Sequence, residues 1–422
     1  MKATLCLILF LNLSVWSLLG QVHFTRLNNE DGLSHSEVKA ILQDSYGYMW
    51  ISTRNKLNRY DGCEFKVLDC YDSIANKRNN NTAALCEDMN RLLWVGTDEG
   101  VFIYDPVVET FTYLERWLNL QDAGFLYNWV SNIVADKEGN MWIVLPSCGI
   151  LKVNVQTKAY KLYSNLGHTV FEKGGPLSLT VDGQGAVWVG CIDQGICRYD
   201  KTKDDFVQVL EETGVFRGKG VYAMLSCKES LFVALHEGRL LRYNKETGTL
   251  ALHDFPEVDN VMIRCLMMPK DEELWVGTNN GVYIYNLLTE NCTVFRNDSF
   301  DSHSLSCNTV TDMYIDKEKG IWVGTLYGGL NYQSRSAGNF TVYIPNDHPQ
   351  SVQSQWIHGL YWDADMQKLW VGTEDEGCSV FDKKTSEFSR ISARHTAPIT
   401  YIRKINGNIW IGYFKNGLDI IS

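Results

Sequence analysis

One short phrase is written nine times in this chain of 422 residues. Its copies centre on Trp50 (MWISTRNKLNRYD), Trp94 (LWVGTDEGVFIYD), Trp142 (MWIVLPSCGILKVN), Trp188 (VWVGCIDQGICRYD) and Phe232 (LFVALHEGRLLRYN). They continue at Trp275 (LWVGTNNGVYIYN), Trp322 (IWVGTLYGGLNYQ), Trp370 (LWVGTEDEGCSVFD) and Trp410 (IWIGYFKNGLDII), with successive members 40 to 48 residues apart. A period of that size means an array of small, similar units, each too small to stand alone.

Each unit divides into four short segments of alternating polarity. An inner segment such as VKAILQD (38–44) or VTDMYID (310–316) precedes the Trp by about eight residues. A tight turn follows, as in DKEGN (136–140), then the Trp segment, a Gly-containing turn and a third segment such as GVFIYD. The fourth has the form aromatic-x-x-apolar: FTYL (111–114), FVQV (206–209), FTVY (340–343). Period-two alternation between Gly, Asp and Asn turns predicts four β-strands per unit. Thirteen Trp and 34 Gly against 8 Pro suit sheets with bulky packing residues and many turns. A lone four-stranded sheet of about 45 residues cannot cover both faces. Stacked radially, each sheet covers the next, so the expectation is an all-β chain of β-propeller blades. The Trp supplies buried area, and the Gly two residues on, on the same strand face, leaves room for a bulky residue of the adjoining blade.

FTRL (24–27) has the form of a fourth strand placed before any first strand. It is expected to complete the last blade of a seven-bladed propeller spanning 21–335. Residues 336–422 would open a second, incomplete propeller with two blades, and the chain reads as the front part of something longer. A single ring of eight or nine blades is the rival arrangement. Residues 1–20, with Lys2 ahead of the apolar run TLCLILFLNLSVWSLLG, read as a signal peptide. No later stretch is long and apolar enough to span a membrane, so a periplasmic or secreted protein is expected. A net charge of −11 without a basic run argues against a nucleic-acid partner. The eleven cysteines after Gly20 show no CxxC and no zinc spacing, and the histidines are scattered, so no metal or cofactor is expected. These thiols read as small buried side chains; Cys191 and Cys197 flank one turn and face each other as a disulfide candidate.

The block FTRLNNEDGLSHSEVKAILQDSYGYMWISTRNKLNRYDGCEF resembles the opening of the two-component regulator propeller repeat, and the pattern covers residues 24 to 422. The resemblance is to the periplasmic sensor half of hybrid two-component systems of gut bacteria. It implies an oligosaccharide ligand, a homodimer and a kinase half, which would here be a separate partner because this chain contains no membrane helix, kinase or receiver. Lys56 stands where a turn Gly is usual, and Phe232 replaces the Trp; neither threatens the fold.

Positions that recur in every unit are explained by packing, so ligand contacts are sought where the pattern breaks. The longest interruption, ERWLNLQDAGFLYNWV (115–130), carries Trp117, Phe125, Tyr127 and Trp129, whose rings could stack on sugar faces. A local cap on its own blade is the plainer reading for Trp117 and Phe125. Trp129, Thr309 and Trp356 align just before an inner strand, and His358 follows Trp356 by two residues. Arg217 and Lys219 in FRGKG, with Arg264, are candidates for carboxylates of acidic sugars, and Tyr327 occupies a turn held elsewhere by polar residues. Each of these has a plainer reading as surface charge or packing. No G-x-S-x-G, H-E-x-x-H or phosphate-binding loop is present, so the chain is not expected to be an enzyme. Asp44, Asp136, Asp182 and Asp316 read as turn residues. The competing functions are a secreted propeller lyase or hydrolase using His236 or His358, and a protein-interaction scaffold.

Overall fold

The computed structural model describes residues 23–121, 123–166, 170–172, 174–209, 214–236, 238–253, 261–335, 343, 345, 350–391 and 397–421. The leader at 1–20 and the first three residues of the strand expected at 340–343 lie outside them. Two compact units result, Met1–Gly338 and Asn339–Ser422.

Among the described residues of the first unit, seven four-stranded antiparallel sheets follow one another. Their inner strands are Val38–Gln43, Thr82–Glu87, Asn132–Ala135, Pro176–Val181, Val221–Cys227, Ile263–Lys270 and Val310–Ile315. Each touches the next, and the last touches the first, so the sheets close a ring. The seam is covalently out of order. Thr25–Leu27 pairs with Leu330–Tyr332, so the start of the chain supplies the outer strand of the sheet that ends the ring. Phe24 is buried beside it, and the Arg26 guanidinium donates to the carbonyls of Asp301, Ser304 and Leu305 at 3.0, 3.0 and 3.2 Å.

The repeated phrase has a physical meaning where one sheet packs on the next. The Trp of one sheet meets the Tyr on the third strand of the next: Trp50 with Tyr104 at 5.3 Å, Trp142 with Tyr199 at 4.8 Å, Trp188 with Tyr243 at 5.9 Å. The seam obeys the same rule, with Trp322 against Tyr60 at 6.0 Å. Burying one Trp is worth about 5 kcal/mol of transfer free energy before chain entropy is counted. Where a Gly stands two residues after the Trp, it faces a β-branched residue at or just before the start of the next inner strand. A Cβ on Gly96 would lie 2.6 Å from Val130, on Gly190 2.4 Å from Val221, on Gly277 2.8 Å from Val310 and on Gly324 2.5 Å from Val38. No real Cβ sits that close, so Gly is required by the neighbour and not by its own backbone.

Two hydrogen-bond devices recur with the phrase. In five of the seven sheets the Asp that opens the hairpin also accepts the indole N–H six residues later; Phe232 has no indole, and Trp275 donates to Glu273 at 2.9 Å instead. Asp44, Asp88, Asp136, Asp182 and Asp316 bind Trp50, Trp94, Trp142, Trp188 and Trp322 at 2.7, 2.9, 2.8, 3.0 and 2.9 Å. Burial works against the charge on Asp136 and Asp182, but these bonds outweigh it and hold both carboxyls below the usual carboxylate range. The second device joins sheets. The turn after the Trp strand donates to the segment entering the next inner strand: Lys56 N–H to Asn80 at 2.7 Å, Gly100 to Asn128 at 3.0 Å, Gly281 to Asn308 at 2.7 Å and, across the seam, Gly329 to Ser36 at 3.0 Å. Lys56 holds φ +78° there, the left-handed region that the glycines at this position also use.

Between the second and third sheets, a short helix, Leu114–Trp117, and a 3-10 turn, Gly124–Leu126, interrupt the strands. A small hairpin, Tyr71–Asp72 with Lys77–Arg78, is anchored to that helix by buried Asp72, which accepts from Arg116 at 2.6 Å and from the Tyr113 N–H at 2.8 Å.

Among its described residues the second unit has one four-stranded sheet, Ile357–Ile391, and three paired strands, Ile399–Ile405, Asn408–Tyr413 and Leu418–Ile421. The Gly rule persists, with Gly372 against Ile399. The Asp–Trp bond does not. Ala364 and Lys404 occupy the Asp positions, and the indole nitrogens of Trp370 and Trp410 have no partner among the described residues. Lys404 instead bonds Asp363 and Asp365 at 3.0 Å each.

Candidate functional site

Antiparallel alternation places all entries to the inner strands, and all turns between second and third strands, on one face of the ring. The sheet-joining bonds above run along this face. The candidates of the first unit fall on it: Trp129, Arg217, Lys219 and Tyr327 in its loops, and Arg264 one residue inside an inner strand. Trp129 is 49% exposed and Tyr327 is 74% exposed. Arg217 is exposed and Lys219 half-buried.

Two neighbours of Trp129 are committed to packing. Trp117 lies edge-on to Trp94 at 5.5 Å with the Lys158 ammonium 4.6 Å over its ring. Phe125 stacks on Tyr160 at 6.2 Å. Tyr127 is 40% exposed, but its hydroxyl donates to Glu115 at 2.5 Å and Lys77 sits 4.3 Å above its ring. Trp356 and His358 belong to the second unit. Trp356 is 58% exposed, and His358 Nε2 is 3.5 Å from Glu374.

The inner strands enclose a central channel with a cavity of about 310 Å³. Its upper layer has one origin. Six of the seven inner strands carry a β-bulge at their second residue, which turns that side chain toward the axis. The bulges lie between Val38 and Ala40, Thr82 and Ala84, Pro176 and Ser178, Val221 and Ala223, Ile263 and Cys265, and Val310 and Asp312. The residues at these positions are Lys39, Ala83, Leu177, Tyr222, Arg264 and Thr311, all of which line the channel. Sequence reasoning found Arg264 and missed Lys39, Tyr222 and Thr311. The signal was available: each follows the β-branched or small residue that opens an inner strand.

The polar groups of this layer differ in how well they are satisfied. Lys39 donates to Asn81 at 2.5 Å and lies 4.0 Å from Glu37, which also pairs with Arg54 at 3.6 Å. Burial lowers the Lys39 pKa against the pull of Glu37. Asp312 accepts the N–H of Ile41 at 2.8 Å, across the seam, and that of Met313 at 2.9 Å. Burial in the channel wall pushes its pKa up to about 7 despite these bonds. The consequence for stability has a definite sign. The unfolded carboxyl loses its proton near pH 4, whereas the folded one keeps it to about pH 7, so the folded state binds more protons in between. Asp312 therefore lowers stability as pH rises from about 4 to about 7. Urea midpoints of the wild type should carry this downward component, and Asp312→Ser should remove it; an unchanged pH slope in the variant contradicts the assignment.

The Arg264 Nε and Thr311 Oγ1 are buried and have no hydrogen-bond partner, and Arg264 forms no ion pair among the described residues. Tyr222 presents a 43% exposed ring, with His236 5.3 Å away. Cys191 and Cys197 are buried free thiols with their sulfurs 3.9 Å apart. Among the described residues no group of three or more His, Cys, Asp or Glu could hold a metal ion, and no helix is long and apolar enough to cross a membrane.

Comparison with known proteins gives this geometry a context. Residues 32–55 and 304–327 match the model of the two-component regulator propeller, and these segments flank the seam of the ring. A stretch of 166 residues is 25% identical to histidine kinase P4 of Formosa agariphila, covering 38% of this chain and 12% of the kinase. Among solved structures, the extracellular domain of the putative hybrid two-component system BT3049 from B. thetaiotaomicron superposes with a TM-score of 0.69 at 20% identity. That of BT4673 does so at 0.63 and 20%. Both alignments cover 95% of this chain, which spans only 53% and 52% of those domains. A catalytically inactive virginiamycin B lyase from Staphylococcus aureus shares the fold over 74% of this chain and 99% of its own, with a TM-score of 0.57 at 12% identity. Two segments of the chain thus match two-component regulator propeller repeats, and its fold is similar to that of extracellular domains of two-component systems.

Proposed function

We propose that the chain is the exported ligand-binding part of a two-component signalling system and that the loop face of its ring recognises an oligosaccharide. In this reading residues 1–20 are a leader, 21–335 a seven-bladed propeller, and 336–422 the opening of a second one. The protein works in the periplasm or after secretion, as a homodimer, with the kinase half supplied by a partner polypeptide or by further chain. The observation that carries the reading is the channel mouth, where exposed aromatic planes (Trp129, Tyr222) stand on the same face as polar groups without a partner among the described residues. Such a mixture suits a sugar, which offers apolar ring faces and polar edges.

The fold shared with a lyase supports no catalytic role, because one fold hosts many functions. Isothermal titration of residues 21–422 against a panel of oligosaccharides tests the proposal. At least one should bind, with the affinity reduced about tenfold by Trp129→Ala, the scale of one lost aromatic contact. A folded protein that binds none of them, or that releases product from a polysaccharide in a manner abolished by His236→Ala, overturns it.

A further inference from the structure

We propose that Arg264, Thr311 and Tyr222 form an anion-reading subsite inside the channel mouth, in which the guanidinium takes a carboxylate or sulfate carried by the ligand sugar. This inference rests on the oligosaccharide reading above and specifies its chemistry.

The three residues occupy the same bulge position on three consecutive inner strands, Val221–Cys227, Ile263–Lys270 and Val310–Ile315, and so form one layer of one wall. Two of them carry buried polar atoms without partners among the described residues. Such groups are rare, because leaving a donor unmade inside a protein forfeits its hydration with no return. The cost is larger for a cation than for a hydroxyl.

The nearby charges do not answer Arg264. Both oxygens of Asp312 are turned to the N–H groups of Ile41 and Met313. Glu37 is taken by Lys39 and Arg54. Lys39, the other cation of the layer, is already bonded to Asn81. Among the described residues the channel therefore holds one cation bonded by its own side chains, Lys39, and one, Arg264, whose Nε–H has no partner and which forms no ion pair. A planar guanidinium presents paired N–H donors that match an oxyanion, and it binds a neutral hydroxyl far less well. The Thr311 hydroxyl lies on the neighbouring strand and can donate to the same group, and the exposed Tyr222 ring offers a plane for the sugar that carries it. A cavity of about 310 Å³ is at the low end of small-molecule pockets, which run from about 300 to 1,000 Å³. It accepts the acidic end of an oligosaccharide while the remainder lies across the loop face.

The test titrates residues 21–422 with digalacturonate, cello-diuronate and galactose 6-sulfate, and with neutral digalactose and cellobiose of the same linkages. The expected result is binding of an acidic probe at least tenfold tighter than its neutral counterpart. Preference for a uronate or for the sulfate identifies which oxyanion the site reads. Arg264→Gln should weaken the acidic probe about ten- to a hundredfold and leave the neutral one unchanged, the scale of a lost charge-assisted bond. Thr311→Val, which preserves volume, should weaken the acidic probe several-fold and guards against a folding defect in the arginine variant. Equal affinity for neutral and acidic probes, or an unchanged acidic affinity in Arg264→Gln, overturns the subsite while leaving the oligosaccharide reading standing. A folded wild type that binds no sugar of either class overturns both.

Discussion

A chain lacking residues 23–27 should lose the cooperative unfolding transition of the ring. Three interactions go together. The Thr25–Leu27 pairing with Leu330–Tyr332 disappears, exposing the edge of Leu330–Gln333. Phe24, only 1% exposed, leaves the core it shares with Trp275, Leu305 and Val310. The Arg26 guanidinium leaves the loop at 301–305 with several carbonyls unpaired. Phe24→Ala alone should cost about 3–5 kcal/mol, the usual range for a buried aromatic. Removing the whole strand should approach the total stability of a domain, about 5–15 kcal/mol. Urea titration followed by tryptophan fluorescence reads both. The full deletion should also associate through its open edge, detectable by light scattering. A truncated chain with an unchanged midpoint contradicts the closure.

The second large effect is expected from a single methyl group. Gly324→Ala places a Cβ 2.5 Å from Val38 Cγ1, 3.1 Å from Val38 Cβ and 3.2 Å from Ile41 Cδ1. All three atoms belong to the inner strand on the far side of the seam, and Val38 is fully buried. Neither strand can retreat without breaking its own sheet. The substitution should cost about 3 kcal/mol, the upper end of ordinary overpacking. Gly183→Ala, where a Cβ meets nothing within 4 Å, should be near neutral. The clash also predicts a coupling. Val38→Ala removes the offending Cγ1, so the double variant should be more stable than the sum of the two single losses, by about 1 kcal/mol or more. Additive losses would mean that Gly324 and Val38 do not face each other.

The two cases show which parts of the molecule were legible in the chain and which were not. The Trp, the Gly two residues on and the third-strand Tyr recur because each meets the neighbouring sheet, and buried packing repeats whenever its geometry repeats. A period therefore suffices to read the four-stranded sheets and the clearance made by Gly. The Asp–indole bond was half legible. Asp44 or Asp316 reads as a turn residue from its neighbours, but its second oxygen is committed to a Trp six residues later only once the hairpin is formed. The Asp72–Arg116 anchor left no trace, since the hairpin carrying Asp72 occurs once and has no register to compare.

The candidate site was hardest to read for the opposite reason. The bulge position repeats in backbone but not in residue type, running Lys39, Ala83, Leu177, Tyr222, Arg264, Thr311. Side chains aimed at solvent or a ligand are free to vary, so only the register identifies them. Arg264 stood out by its charge. Trp117 and Phe125 stood out by ring size, yet their rings are spent on Trp94 and Tyr160.

Ring closure by the first strand underlies the seam, the channel and the loop face alike. Hydrogen–deuterium exchange read by mass spectrometry on residues 21–422 tests it most directly. The peptide containing Thr25–Leu27 should exchange as slowly as the one containing Leu330–Gln333, because the two share one ladder of hydrogen bonds. Exchange of the first peptide within seconds, as in a free tail, while the second stays protected would contradict the account.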